Sequence, residues 1–417
     1  MKKKICMLVH THSFLDSRIF KKEAKTLQKN GYDVTMIVPR VKDKLFDIDK
    51  SPFNDRFLQS SFVHEGIKIV TYKIESFKPS PIEMQNHIDY GNHIKFDNPL
   101  TQLGLEEKAD IYHAHELGSL YAGIGIKRKM KHLHNKDVKL IYDSHDLIPD
   151  PLDNKTKTIS KKNKTAMLKL LNTMIKEIDQ LITVSHSIKS WYLSKNPLLP
   201  VEIIYNSPPL DQTYKPKDYK GNKLTVCYEG HIADNKKGSR DKIFKITNIC
   251  SKQTDFNFKI IGGVLHGHSL TVPDNIKKHV ELTGWVDYHS ISKHMKDVDI
   301  GWIDFDDLSQ SLNRSYALPN KFFSYLNSGI PVVVNKCHEM EEFIRTHKCG
   351  LVINKPKATA QDYARAFLYL NKNREKLIQM SVNARKVMDR LYSWEHMERR
   401  LLNVYESLIN GNSPFIL

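Results

Sequence analysis

Histidines, carboxylates and basic groups recur in this chain directly after short apolar runs. Ile5-Cys-Met-Leu-Val9 is followed by His10, His12, Asp16 and Arg18. Asp110-Ile-Tyr-His-Ala-His115 carries two alternating histidines before Glu116, and Leu140-Ile-Tyr142 leads into Asp143 and His145. In open α/β sheets ligands sit beyond the carboxyl ends of the strands, so these residues are candidates for binding hydroxyls, moving protons or stabilising charge. Each has a plainer alternative. Asp16 also fits a helix cap, Arg18 with Glu23 a surface pair, the alternating histidines a core and rim, and Asp143 with His145 a buried hydrogen-bonded pair. The histidines are of a type that binds metal, but no third ligand follows at convincing spacing, and no metal is expected.

Phosphate chemistry is written elsewhere, in Ser315 to Val334. Pro319 and Asn320 are helix-start residues and Gly329 is a helix stop. Phe322, Phe323, Tyr325 and Leu326 supply an apolar stripe between them, and Ile330-Pro-Val-Val-Val334 reads as a strand buried on both faces. The start of this helix, around Pro319 to Lys321, has unpaired N–H groups and the positive end of the dipole, so it can hold a phosphate.

The elements that must position these groups alternate strand and helix in both halves, the rhythm of parallel sheets. In the first half, strands are expected at Ile5 to His10, Val34 to Val38, Ile67 to Tyr72, Asp110 to His115, Lys139 to His145, Leu181 to Ser185 and Val201 to Tyr205. A helix is expected over Ser17 to Asn30 and an irregular charged excursion over Asp43 to Glu65. After the Pro-rich break at Asn206-Ser-Pro-Pro, strands recur at Thr225 to Glu229, Phe258 to Ile261, Val280 to Leu282, Asp299 to Ile303 and Pro331 to Val334. At 417 residues the chain exceeds what one core usually serves, and two domains of roughly 200 residues each are expected.

Composition narrows the partners. The formal net charge of +17 suggests an anionic one, yet no nucleic-acid motif is present. Seven lysines lie between Lys155 and Lys176, which fits either a solvated face or attachment to anionic lipid at the inner leaflet. The five scattered cysteines suit reduced cytosolic thiols. Met1 to His10 reads as a first strand, too short in its apolar run for a signal peptide, and no run approaches a membrane span.

The Ser315 to Val334 segment resembles the nucleotide-sugar site of the family-4 retaining glycosyltransferases, whose wording there is close to lPNKlfEYmaaGiPVV. Asp16-Ser-Arg18-Ile-Phe-Lys-Lys-Glu-Ala24 resembles one branch's D-x-R-[IV]-x-x-E-A opening, with one residue more before its Glu; Asp110 to Glu116 its D-[IV]-[IV]-H-x-H-[DE] strand end; Tyr142 to Leu147 its yDsHEl. The resemblance covers nearly the whole chain. It implies an α/β fold of two Rossmann-like domains facing across a cleft, called GT-B. Residues 1–205 would form the acceptor-side domain, 206–390 the donor domain, and 391–417 a helix crossing back to the first.

It also implies roles. His12, Asp16, Arg18, Asp143 and His145 would serve the acceptor side, and His115 would lie against the donor sugar as a catalytic residue. Tyr228 to Gly238 resembles the family's G-R-x(5)-K-G diphosphate clamp, with Lys237 as its lysine and His231 in the arginine's place. Gly284 would line the nucleobase, and Asn320 and Lys321 would join the donor site. Two glutamates usually flank this helix, the second gripping the ribose; Tyr316 and Ser324 stand in their places. The implied activity is transfer of a sugar, with retention, from a nucleotide-diphosphate sugar to a glycan or lipid-linked acceptor, without metal or other cofactor. Surface polysaccharide or glycolipid synthesis in the cytoplasm, peripheral to the membrane, is the implied setting. A nucleotide-sugar epimerase of the same fold and a non-catalytic partner subunit are the rival readings.

Overall fold

The computed structural model describes residues 2–53, 59–90, 96–152, 160–219, 221–232, 239–306 and 308–411. The chain divides into two compact units, Met1–Ile204 with Glu398–Leu417, and Tyr205–Met397.

The first unit is built on an eight-stranded sheet in the order β3-β4-β2-β1-β5-β6-β7-β8. Its strands are β1 (Lys4–Val9), β2 (Asp33–Arg40), β3 (Ser61–His64), β4 (Ile67–Lys73), β5 (Ile111–His115), β6 (Lys139–Ser144), β7 (Gln180–Thr183) and β8 (Val201–Ile203). All residues of β5 and all but the first of β1 are buried, as the continuous apolar runs require of parallel strands covered on both faces. The excursion expected to be irregular contains β3, an edge strand antiparallel to β4. Its alternating exposure and half-burial leave only a weak apolar signal, and Glu65-Gly66, both at positive φ, makes the turn.

After β1 the chain enters a wide π-helical turn, Ile19–Ala24, which continues as a regular helix over Lys25–Lys29. Lys21 N–H donates to the Asp16 carbonyl at 3.2 Å and Glu23 N–H to the Arg18 carbonyl at 2.9 Å, each five residues back. The extra residue per turn widens the inward face, so Arg18, Lys22 and Glu23 are all buried with Ile19 and Phe20. The C-terminal helix, Trp394–Asn410, joins the first unit from Glu398 onward: Thr26 donates to Glu398 at 3.0 Å, and Tyr405 Oη meets His113 Nδ1 at 2.8 Å.

The second unit has a six-stranded parallel sheet in the order β11-β10-β9-β12-β13-β14. These are β9 (Leu224–His231), β10 (Phe256–Gly263), β11 (Val280–Gly284), β12 (Ile300–Ile303), β13 (Val332–Asn335) and β14 (Gly350–Ile353). Trp302 is its core centre, with Tyr228, Phe258 and Tyr363 rings 5.4–5.8 Å away. Helix Asn320–Asn327 starts at Pro319 and buries Phe322, Phe323, Tyr325 and Leu326. Gly329 ends it at φ +63, where a Cβ would lie 2.6 Å from the Tyr214 hydroxyl, so no other residue fits without movement. The four-residue edge strand β14, all half-buried, carries no periodicity that would have marked it beforehand.

All five cysteines are free and buried. Among the described residues no helix is long and apolar enough to cross a membrane.

Candidate functional site

In the first unit, the carboxyl ends of β1, β5 and β6 open into a cavity of about 300 Å³. Its polar lining comes from His10, Thr11, His12, Glu116, Ser144, His145 and Asp146, and its apolar walls from Pro81, Met84, Leu117, Ile148 and Met167. Met84 sits on helix Pro81–Asp89 and Met167 on helix Lys161–Met174, which are tied together by Lys169 and Asp89 at 2.6 Å.

The charged part of this lining is built around His12. Its Nδ1 lies 3.2 Å from Asp16 and its Nε2 2.9 Å from Glu116. Partial burial favours neutral imidazole, but the two carboxylates outweigh it and push His12 up to about 10, so it is an imidazolium at neutral pH. Glu116 also accepts from Thr11 N–H at 2.9 Å and from the Thr11 hydroxyl. It does so from a backbone at φ +76, a strained conformation for a residue with a side chain, which helix Glu116–His134 tolerates at its first position. Asp16 is a helix cap as well, accepting from Arg18 N–H at 2.8 Å and Ile19 N–H at 3.0 Å.

Beneath the cavity lies a buried ionic layer. Arg18 donates through Nε and Nη2 to the two Asp143 oxygens, both at 2.9 Å, and through Nη1 to the Ile204 carbonyl at 2.8 Å. Its Nε is also 2.9 Å from Glu23 Oε1. Burial would neutralise Asp143, but the Arg18 guanidinium holds its carboxyl well below the usual range. Burial dominates at Glu23 and raises it well above the usual range, against the pull of Arg18. Burial also keeps His115 and His113 neutral, His113 at about 3. His145 Nε2 spans the layer and the cavity, 3.2 Å from both Asp143 Oδ2 and His115 Nδ1.

These positions correct several sequence expectations. Of the acceptor-side set, His12 and His145 line the cavity, and Asp16 acts through His12. Arg18 and Asp143 are at most 1% exposed and support the cavity instead of bordering it, because the wide turn rolls Arg18 inward onto the last residues of β6. Arg18 and Glu23 are therefore not a surface pair. His115 is fully buried and meets the cavity-lining His145 at 3.2 Å. A third and fourth metal-type ligand do exist in space, since Glu23, His113, His115 and Asp143 bring donor atoms within 4.8 Å of one another. Arg18 lies against both carboxylates and supplies the positive charge there.

In the second unit, Lys321 places its ammonium 4.0 Å from the Tyr228 ring centroid at the start of helix Asn320–Asn327, with Asn320 exposed beside it. Ser324 Oγ donates to Glu229 Oε1 at 3.3 Å. Tyr325 Oη accepts from Glu229 N–H at 2.8 Å and donates to the Cys227 carbonyl at 3.1 Å. Ser324 also lines a recess of about 200 Å³ with Asn327, Ser328, Tyr288 and His289. His231 is exposed at the end of β9 and is shifted toward neutrality by partial burial and then by Lys321. Gly284 forms a turn at φ +72, and half-buried Tyr316 sits with its ring 6.2 Å from that of His338. Lys237 lies outside the described residues.

Sequence reasoning passed over Glu116, Glu23 and Glu229 as site residues. Glu116 directly follows His115 and was open to the same strand-end argument; Glu229 is a lone carboxylate closing the apolar run of β9. Met84 and Met167 gave no signal, because they meet only through tertiary packing.

Residues 17–212 match Glycosyltransferase Family 4, and residues 223–373 match Glycosyl transferases group 1. No curated protein sequence matches the chain. Among solved structures it is similar to sucrose-phosphate synthase from Thermosynechococcus elongatus, with a TM-score of 0.65 at 12% identity over 99% of this chain and 100% of that one. HepE of Anabaena in complex with UDP and glucose gives 0.64 at 13% over 98% and 100%. A glycosyltransferase from Rickettsia africae gives 0.62 at 14% over 99% and 100%. At these identities the likeness is one of fold, two Rossmann-like units of the GT-B type.

Proposed function

The chain belongs to glycosyltransferase family 4, and from that premise we propose that it transfers a sugar, with retention, from a nucleotide-diphosphate sugar to an acceptor that joins a hydroxylated head to an apolar body, such as a lipid-linked glycan. The observation that carries the acceptor class is the first unit's cavity, with the His12 imidazolium and His145 among its polar groups and Met84, Leu117, Ile148 and Met167 on its walls. Imidazole and carboxylate groups suit sugar hydroxyls; the methionines suit a flexible apolar chain. A purely saccharide acceptor would leave those walls without a partner.

The second unit would carry the donor. Lys321, the N–H groups opening helix Asn320–Asn327, and Lys237 would stabilise the departing diphosphate as the anomeric centre passes through an oxocarbenium-like state. The bond to the phosphate oxygen breaks as the acceptor oxygen bonds on the same face, and the leaving oxygen takes the acceptor proton. The complex of Anabaena HepE with UDP and glucose supports a nucleotide-sugar donor of that class. The exposed Lys161 and Lys162 of helix Lys161–Met174 support docking on anionic lipid, because the same helix contributes Met167 to the acceptor cavity.

Incubation with a panel of nucleotide sugars and a lipid-linked acceptor, read by NMR of the anomeric carbon, tests this. Transfer with the donor's anomeric configuration is expected. Inversion would refute retention, and a changed sugar configuration on the nucleotide without transfer would favour the epimerase.

A further inference from the structure

We propose that Glu229 holds the ribose diol of the donor nucleotide, in concert with Ser324. This assignment rests on the donor reading above.

Glu229 is near the carboxyl end of β9, a strand flanked by β10 and β12, where a Rossmann-like sheet presents groups to a nucleotide. Its backbone N–H is satisfied by Tyr325. Its carboxylate is not: Oε1 has Ser324 Oγ at 3.3 Å, while the enclosed Oε2 has no hydrogen-bond partner among the described residues. A buried carboxylate oxygen without a donor is costly, and a ligand that brings a donor to it would relieve that cost.

A neutral donor suits this oxygen. Lys321 makes no ion pair with Glu229 among the described residues; its ammonium faces the Tyr228 ring and lies 3.5 Å from where a Cβ on Gly230 would be. That leaves the ammonium for phosphate and the carboxylate for hydroxyls. A vicinal diol fits, offering two O–H donors to an acceptor-only group, as carboxylates do for ribose on such sheets. Ser324 links the two places, since it hydrogen-bonds Glu229 and also lines the recess with Tyr288 and His289. The carboxylate expected at position 324 is thus supplied from the neighbouring strand. Burial pushes Glu229 up to about 7 against the pull of Lys321 and Ser324, and two incoming hydroxyls would favour its charged form.

The test is calorimetric titration of the full chain with uridine, guanosine, adenosine and cytidine diphosphates, then with the 2′,3′-dideoxy counterpart of the tightest. Wild type should prefer the ribonucleotide by about tenfold or more, the scale for hydrogen bonds to a charged group. Glu229→Gln and Glu229→Ala should lose that preference by weakening only the ribonucleotide, which a merely structural role would not do. Moving the carboxylate, as Glu229→Ser with Ser324→Glu, should restore it. An unchanged preference in both single variants overturns the assignment. If neither variant folds, wild type decides alone, since indifference to the missing hydroxyls also overturns it. Binding of none of the four diphosphates would overturn the donor reading itself, and this assignment with it.

Discussion

Arg18 and Asp143 form a two-pronged ion pair, both contacts at 2.9 Å, with neither side chain more than 1% exposed. They join the turn after β1 to the end of β6, so the pair fixes where His145 stands over the cavity. Breaking a buried pair from one side leaves a charge without its partner, typically at a cost of about 3–5 kcal/mol. Asp143→Asn should therefore lower the urea unfolding free energy by about that amount. A change below about 1 kcal/mol would show that the pair does not hold the cavity floor together.

His12 should stay charged well above neutrality. Its folded-state value of about 10 lies above the ordinary 6.5, so its stabilising contribution is complete below about 6.5 and fades as pH rises toward 10. Asp16 and Glu116 are held below their ordinary values, so theirs fades in acid. NMR should show a His12 imidazolium at pH 8, and His12→Gln should flatten the alkaline limb of the stability profile. A His12 titration near 6.5 would contradict the two carboxylate contacts.

Glu229 is shifted the opposite way from Asp16 and Glu116. Its value of about 7 lies above the ordinary 4.5, so ionisation costs the folded chain progressively between those values, by about 3 kcal/mol at most. Glu229→Gln should match wild type at pH 5 and exceed it in thermal stability at pH 8. Equal pH profiles for the two would place the Glu229 carboxyl in water.

Gly118 tests the acceptor cavity. On helix Glu116–His134 an added Cβ would come within 2.6 Å of the His10 ring, which lines that cavity. Alanine favours the helix by about 0.5–1 kcal/mol, so Gly118→Ala should stay folded while shifting the ring. The expected result is a higher KM for acceptor, about tenfold for one lost or misplaced polar contact, with donor affinity unchanged. An unaltered acceptor KM would remove this cavity from the acceptor path.

Lys161 and Lys162, both exposed at the start of their helix, test the lipid surface. If they dock on anionic lipid, each should add about 1 kcal/mol, screened by salt. The chain should sediment with acidic vesicles at low salt and be released at high salt, and reversing both lysines to Glu should reduce sedimentation. Equal binding to neutral vesicles would leave them a solvated face. Lys164 is the poorer choice, because its ammonium already donates to the Pro151 carbonyl at 2.9 Å.

The parallel strands were legible because burial on both faces writes unbroken apolar runs, as in Ile330 to Val334. The edge strands β3 and β14 were not, since half-burial dilutes that pattern. Strand-end logic found the cavity's histidines but misjudged depth. Nothing in Asp16 to Ala24 announces a π-turn, and without it Arg18 and Glu23 look like surface residues. Glu229 was hidden for another reason. Its partner Ser324 lies far along the chain, and only the pairing of β9 with the helix after Pro319 brings them together.

Cys6 lies on β1 in the first unit, while Cys227, Cys250, Cys337 and Cys349 all belong to the second. Burial pushes every one of these thiols up, the last three named to about 12, so none is a competent nucleophile while the fold is closed. A thiol reagent can then register only those molecules that have opened. The five sulfurs serve as two separate opening gauges, one thiol for the first unit and four for the second, and a ligand that tightened only the second would slow four of them and leave Cys6 at its own pace.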